Sequence, residues 1–130
     1  MSKIILIIFV VIATSLLIAC KRQDIVYDVI DAPVVTTSKN YTVEQMRNAI
    51  IRAGQSLGWR VQNSGKQRLR ATLFVRDHMA QVMINYNWRA YSIRYENSRN
   101  LEYEGDSIHR NYNSWVRNLD NRIQSELSLL

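Results

Sequence analysis

Two histidines, one cysteine, one proline and four glycines are all that 130 residues offer of the types that most often carry chemistry or interrupt regular structure. A zinc site needs three or four convergent His, Cys or carboxylate ligands, and no pair here has HxxxH or CxxC spacing. No metal and no cofactor is therefore expected. GxSxG, SxxK and phosphate-cradling glycine loops are all absent, and nucleophilic catalysis needs a Ser or Thr beside a positioned base. Ser107 lies two residues before His109, a separation that does not put both on one helix face. Glu102 and Glu104 form a carboxylate pair, but nothing beside them would split their pKa values as acid–base work requires. The chain is thus expected not to be an enzyme; His109 is the residue an enzyme would have to use. Low-complexity tracts and internal repeats are missing too. The composition, 47% hydrophobic and 22% charged, is that of a folded domain rather than a disordered chain.

What is present begins with a marked asymmetry. Lys3 precedes residues 4–18, an uncharged run broken only by Thr14 and Ser15. A membrane-spanning helix usually needs about 20 apolar residues, so this run is short for that role. Its length suits the apolar core of a secretory signal. Leu17-Ile18-Ala19-Cys20 follows, with the chain's sole cysteine after a small residue. This resembles the bacterial lipobox, which implies cleavage between Ala19 and Cys20 and diacylglyceryl and acyl groups on Cys20. Two or more acyl chains give a stable anchor where one does not. The competing reading is a retained signal anchor with an incidental cysteine. Lys21, rather than Asp, follows Cys20; by resemblance to enteric sorting rules this favours the outer membrane, with the domain facing the periplasm. Removing residues 1–19 takes Lys3 with it, so the formal charge of +6 becomes +5. Nucleic acid is not available in that compartment. A basic balance there points to an acidic envelope protein, an anionic glycolipid or the membrane itself, or merely to a soluble arginine-rich surface.

Three parts are expected: a signal peptide (1–19), a lipidated N-terminus and tether (20–41), and a periplasmic domain (42–130). Pro33 and the Thr-Thr-Ser-Lys-Asn cluster discourage regular structure in the tether, which fully extended would reach roughly 65 Å. Alternation at Ile25, Tyr27 and Val29 leaves room for part of it to dock as an edge strand. "TVEQ" at 42–45 matches a capping box. Val43, Met46, Ile50, Ala53 and Leu57 then recur at helical spacing up to Gly58. Four segments with period-two alternation come next, at 59–63, 66–76, 79–86 and 90–96, joined by short turns. After a polar loop, Asp106 or Ser107 is expected to cap a last helix. Its apolar face carries Ile108, Tyr112, Trp115, Val116, Leu119, Ile123 and Leu127. The order α-β-β-β-β-α predicts a two-layer α+β fold, a four-stranded antiparallel meander with both helices packed on one face.

Two candidate surfaces emerge. Strand alternation puts Arg60, Arg68, Arg70, Phe74, Met83 and Arg94 on the sheet's outward side. Arginine makes bidentate contacts with carboxylate and phosphate, and Phe74 and Met83 among guanidinium groups suit a protein or lipid-headgroup contact. The plainer reading is a solvated face balanced by Glu96. A further expectation is that Asp24, Asp28 and Asp31 of the tether pair with this face and cover it. The second surface is a polar groove beside the loop "NSRNLEYEGD", with His109 and Asn113 adjacent on the last helix. Against it stands a structural role, since buried backbone groups need partners.

The chain is similar to small Gram-negative lipoproteins of a family without an assigned activity. The matching features are the lipobox, "AIIRAGQSLGW", and "YSIRYENSRNL" followed by "IHRNYNSWVRNLDNRI", which together span most of residues 42–124. The resemblance implies envelope localisation and an α+β domain, and brings no site residues. The expected function is a non-catalytic, lipid-anchored envelope protein that binds another macromolecule. The alternative is periplasmic binding or sensing of a small anionic ligand, a lipid or glycan, between the sheet and the last helix.

Overall fold

The computed structural model describes residues 22–130; the expected signal peptide (1–19), with its cleavage point at Ala19, and the expected lipidation site at Cys20 lie outside the described residues. The elements run β1 (Gln23–Ile25), β2 (Val29–Pro33), α1 (Val43–Ser56), β3 (Arg60–Asn63), β4 (Arg68–Val75), β5 (His78–Tyr86), β6 (Ala90–Arg99), β7 (Ser107–His109) and α2 (Arg110–Leu127). Five strands form one sheet in the order β2-β6-β5-β4-β3, and β1 pairs with β7 in a second, two-stranded sheet. Every pairing is antiparallel. The fold is α+β, as expected.

The central meander, β3 to β6, arises from local sequence. Leu69, Ala71, Val82, Ile84 and Ile93 are fully buried, and their alternation with polar residues commits one face of each strand to the core. Both helices pack on that face. Met46, Ala49, Ile50 and Ala53 from α1, and Tyr112, Val116, Leu119 and Ile123 from α2, share one core with the strands. The capping box forms as read: Thr42 Oγ1 accepts from Gln45 N–H and the Gln45 side chain accepts from Thr42 N–H. Gly58, at φ +87°, turns the chain out of α1 in a conformation that a Cβ would oppose. Gly54 has a packing reason: a Cβ there would lie 2.6 Å from Val61 Cγ2, so glycine lets α1 approach β3.

The expected four strands become seven, and the physical reason lies in the N-terminal segment. Residues read as a tether supply β1 and β2. β2 adds an edge strand along β6, through pairs such as Val29 with Ile93 and Ala32 with Tyr91, and Val29 is buried. β1 pairs with β7, a strand in the stretch expected to be the cap and first turn of the last helix. As a result α2 begins later. His109, not Asp106 or Ser107, is its N-cap, and the imidazole Nδ1 accepts from Asn111 N–H at 3.1 Å. β6 also runs three residues beyond its expected end, past a bulge opposite Gln81 and Val82.

The tether's aspartates do not cover the outer face. Asp28 Oδ1 accepts from the backbone of Tyr95 at 3.1 Å, and Asp31 Oδ1 accepts from Ser92 Oγ at 3.3 Å. No ion pair joins Asp24, Asp28 or Asp31 to an arginine among the described residues. β2 lies beside β6 rather than over it, because its own backbone groups are satisfied by the sheet edge. The fixed part of the chain extends to Arg22, whose carbonyl accepts from Arg110 N–H at 2.9 Å. The flexible reach of about 65 Å is thereby lost.

Candidate binding face

Antiparallel pairing with period-two alternation brings side chains from four strands into lateral rows on the sheet's outer face. One row holds Gln62, Arg70, Met83 and Arg94; a second holds Arg68, Asn85 and Ser92; a third holds Arg60, Thr72, Gln81 and Asn97; a fourth holds Phe74, Met79 and Arg99. All six residues expected on this face are on it. Arg99 joins them because β6 resumes pairing for three residues beyond the bulge at Glu96, which local alternation does not foretell, and the buried Met79 of β5 lies opposite it.

The arginines are not equivalent. Arg70 is committed: Nε and Nη2 reach the two oxygens of Glu96 at 2.7 and 2.6 Å. That bidentate hydrogen bonding holds the Glu96 carboxyl below its usual range, with Arg68 contributing charge, and raises Arg70. Arg68 Nε donates to Asn85 Oδ1 at 3.1 Å, and Arg60 lies 5.5 Å from the centre of the Phe74 ring. Arg94 and Arg99 are exposed and have no hydrogen-bond or ion-pair partner among the described residues. Phe74 is 52% exposed, while Met83 is half-buried between Arg70 and Arg94. The face therefore offers uncommitted guanidinium groups around Phe74 and Met83, two apolar points separated by the hydrogen-bonded Thr72 and Gln81, with the carboxylates of Glu96 and, at the edge, Asp31. Neither helix covers it.

The second expected surface does not assemble as a groove. Asn113 is buried, and both polar atoms of its amide bond the N-terminal segment. Oδ1 accepts from Tyr27 N–H at 2.9 Å and Nδ2 donates to Ile25 carbonyl at 2.8 Å. It clamps the link between β1 and β2 to α2. His109 caps the helix, and its own N–H donates to Leu101 carbonyl at 2.8 Å. Both side chains serve backbone groups, His109 in its own helix and Asn113 in the N-terminal segment, and neither serves the loop "NSRNLEYEGD".

The space between α2 and the sheet holds a buried pair that apolar patterning did not reveal. Tyr91 of β6 donates its hydroxyl to Asp120 of α2 at 2.5 Å, and Gln124 Nε2 donates to the same oxygen at 3.3 Å. Burial first, then the hydrogen bond and charge of Asp120, push the Tyr91 phenol well above its ordinary range. Tyr112 is also fully buried, and its hydroxyl has no partner among the described residues. Burial, assisted by the charge of Asp28, raises it similarly.

His78, the second of the two histidines, starts β5. Its Nδ1 sits 2.7 Å from Asn100 carbonyl and its Nε2 3.5 Å from Asp77, whose carboxylate accepts from Asn100 Nδ2. These contacts tie the β4–β5 turn to the end of β6. No group of three or more His, Cys, Asp or Glu positioned to hold a metal ion occurs among the described residues. Compared with protein families, curated proteins and solved structures, the chain shows no match. The fold and the face define an α+β domain with an open, arginine-rich sheet.

Proposed function

We propose that the protein is a non-catalytic, lipid-anchored protein of the bacterial envelope whose open sheet face binds the acidic surface of a second envelope protein. The observation that carries this reading is the outer face: Arg60, Arg68, Arg94 and Arg99 surround exposed Phe74 and half-buried Met83, uncovered by either helix. Arginine and aromatic residues carry much of the binding energy at protein interfaces, and unmatched guanidinium groups favour a carboxylate-bearing partner.

Anchoring rests on the lipobox-like "LIAC" at 17–20. No helix among the described residues is long and apolar enough to cross a membrane, so membrane attachment would come from Cys20 or from the preceding apolar run. Only Lys21 separates Cys20 from Arg22, a span of about 7 Å. An acylated Cys20 would hold the domain at the bilayer surface, and a partner would meet it there. The outer membrane is the favoured bilayer, with the domain in the periplasm.

The test uses the full chain expressed in a Gram-negative host, with a photo-crosslinking residue at Met83 or, as control, at the exposed helix position Arg122. The mass of the N-terminal peptide reports acylation independently. The expected result is an acylated Cys20 and a defined protein adduct from position 83 that Arg68→Glu with Arg94→Glu abolishes. Arg70 is left intact because its loss would orphan Glu96. Equal adducts from both positions, an adduct indifferent to charge reversal, or an adduct with glycolipid alone would overturn the binding reading. An intact, unacylated N-terminus would overturn the anchor.

A further inference from the structure

A groove of about 610 Å³ opens where β6 ends and the β6–β7 loop begins. It borders the arginine rows, sharing Glu96 and Asn97 with them, but its chemistry is different. The Tyr103 ring stacks on Tyr95 with centroids 4.0 Å apart and planes 19° from parallel. Tyr95 in turn meets the edge of Tyr112 at 5.6 Å, and Tyr112 is fully buried. The stack is thus fastened to the core through its inner member. Tyr103 remains 44% exposed, so aromatic surface faces the solvent.

The loop around this platform is held in place before any ligand arrives. Leu101, 1% exposed, anchors it in the core. Asn100 and Glu102 on either side have φ of +57° and +53°, a left-handed conformation that non-glycine residues adopt only when their surroundings enforce it. Asn100 bonds Asp77 through its side chain and His78 through its carbonyl; Leu101 carbonyl accepts from His109 N–H. Ordering costs that would weaken binding are already met in the fold.

Polar groups at the rim are incompletely used. Asn97 spends its oxygen on Ser98 N–H and leaves Nδ2 without a protein partner among the described residues. Among the described residues the Glu102 carboxylate accepts only from Gln23, at 3.3 Å. A flat ring beside free amide donors and carboxylate acceptors matches a pyranose. Its C–H face packs on the aromatic ring, and its hydroxyls both donate and accept. A nucleobase would stack equally well, but its phosphates would meet Glu102, Glu104 and Asp106 in the same loop, as would any sulfated or uronic sugar.

The geometry points to a binding site for a neutral saccharide in this groove, with Tyr103 as the stacking platform and Asn97 and Glu102 as hydrogen-bonding groups. It depends neither on the lipid anchor nor on the uncommitted guanidinium groups of Arg94 and Arg99.

The full chain, titrated with triacetylchitotriose and with maltotriose and followed by side-chain amide NMR, tests it. Resonances of Asn97 and Asn100 should shift saturably with at least one of the two at concentrations up to about 10 mM. Tyr103→Ala should weaken binding about tenfold or more, Tyr103→Phe should retain it, and Glu102→Ala should weaken it several-fold. Arg94→Glu should leave it unchanged. Thermal unfolding of each variant separates lost binding from lost fold. Absence of shifts with both saccharides, equal binding by Tyr103→Ala, or tighter binding of adenosine monophosphate or a heparin hexasaccharide would overturn the assignment.

Discussion

The inner and outer faces of the five-stranded sheet come from the same strands, residue by alternate residue, and hold opposite chemistry. On β4 and β5, Leu69, Ala71, Val82 and Ile84 are wholly buried, while Arg68, Arg70, Gln81 and Met83 between them face outward. The inner face is held by apolar burial, about 1.5–3 kcal/mol for each large aliphatic side chain. The outer face adds little to stability, since exposed ion pairs are typically worth about 0–1 kcal/mol. A sheet with helices on one side only is therefore free to vary the other side for recognition. Stability and binding become separable properties of one element, and each can be broken without the other.

Asp120→Ala should give the largest effect on the covered side. It would strand the Tyr91 hydroxyl in the core, at a cost of about 3 kcal/mol in chemical denaturation. Asp120→Asn, which keeps an acceptor oxygen, should cost less, and an equal loss would mean that Tyr91 does not depend on that oxygen. Alkaline pH attacks the same side. Tyr91 and Tyr112 keep their protons in the fold while their unfolded counterparts release them from the ordinary value of 10.0 upward. Their contribution is thus complete below pH 10.0 and lost as pH rises past it. At one unit above, the two together should cost about 3 kcal/mol, read as a falling midpoint in denaturant titrations between neutral and strongly alkaline pH. Tyr91→Phe with Tyr112→Phe should flatten that fall.

Asn113→Ala removes both bonds that hold residues 25 and 27, and should cost about 2 kcal/mol. Hydrogen exchange should quicken first in β1 and β7 while the meander stays protected; uniform quickening would show that the N-terminal segment and the meander open as one unit. The smallest stability effect belongs to the open side. Arg94→Glu or Phe74→Ala should change stability by no more than about 0.5 kcal/mol, while partner capture through position 83 is lost. A large drop in melting temperature for either would erase the contrast between the faces.

The meander and both helices were legible because each signal is local. Alternation from 66 to 76 already states which side of β4 is apolar, and "TVEQ" already contains both halves of its capping box. The outward set of Arg60, Arg68, Arg70, Phe74, Met83 and Arg94 followed from the same alternation. Which arginines are free did not follow, because the Arg70–Glu96 pair joins strands 26 residues apart. Alternation at Ile25, Tyr27 and Val29 allowed an edge strand, but the bounds and partners of β1, β2 and β7 were illegible for a related reason. Segments of three to five residues carry too few positions for periodicity, and their partners lie far along the chain. Asp120 escaped notice because counting apolar stripes on a helix cannot see a carboxylate that belongs to the stripe by virtue of Tyr91 opposite.

The sequence by itself determined the α+β class, the core face of every meander strand, the start of α1 and six members of the outward face, though not Arg99. These depend on side-chain period and on capping residues a few positions apart, which any short window contains. Tertiary structure alone decided that residues 23–33 join the sheets and that Asn113 is a clamp. It also set Arg70 apart from its neighbours and brought Tyr95 and Tyr103 together over a fixed loop. Each of these depends on groups distant in sequence meeting at hydrogen-bond or ring-stacking distance, and only the folded chain sets those distances.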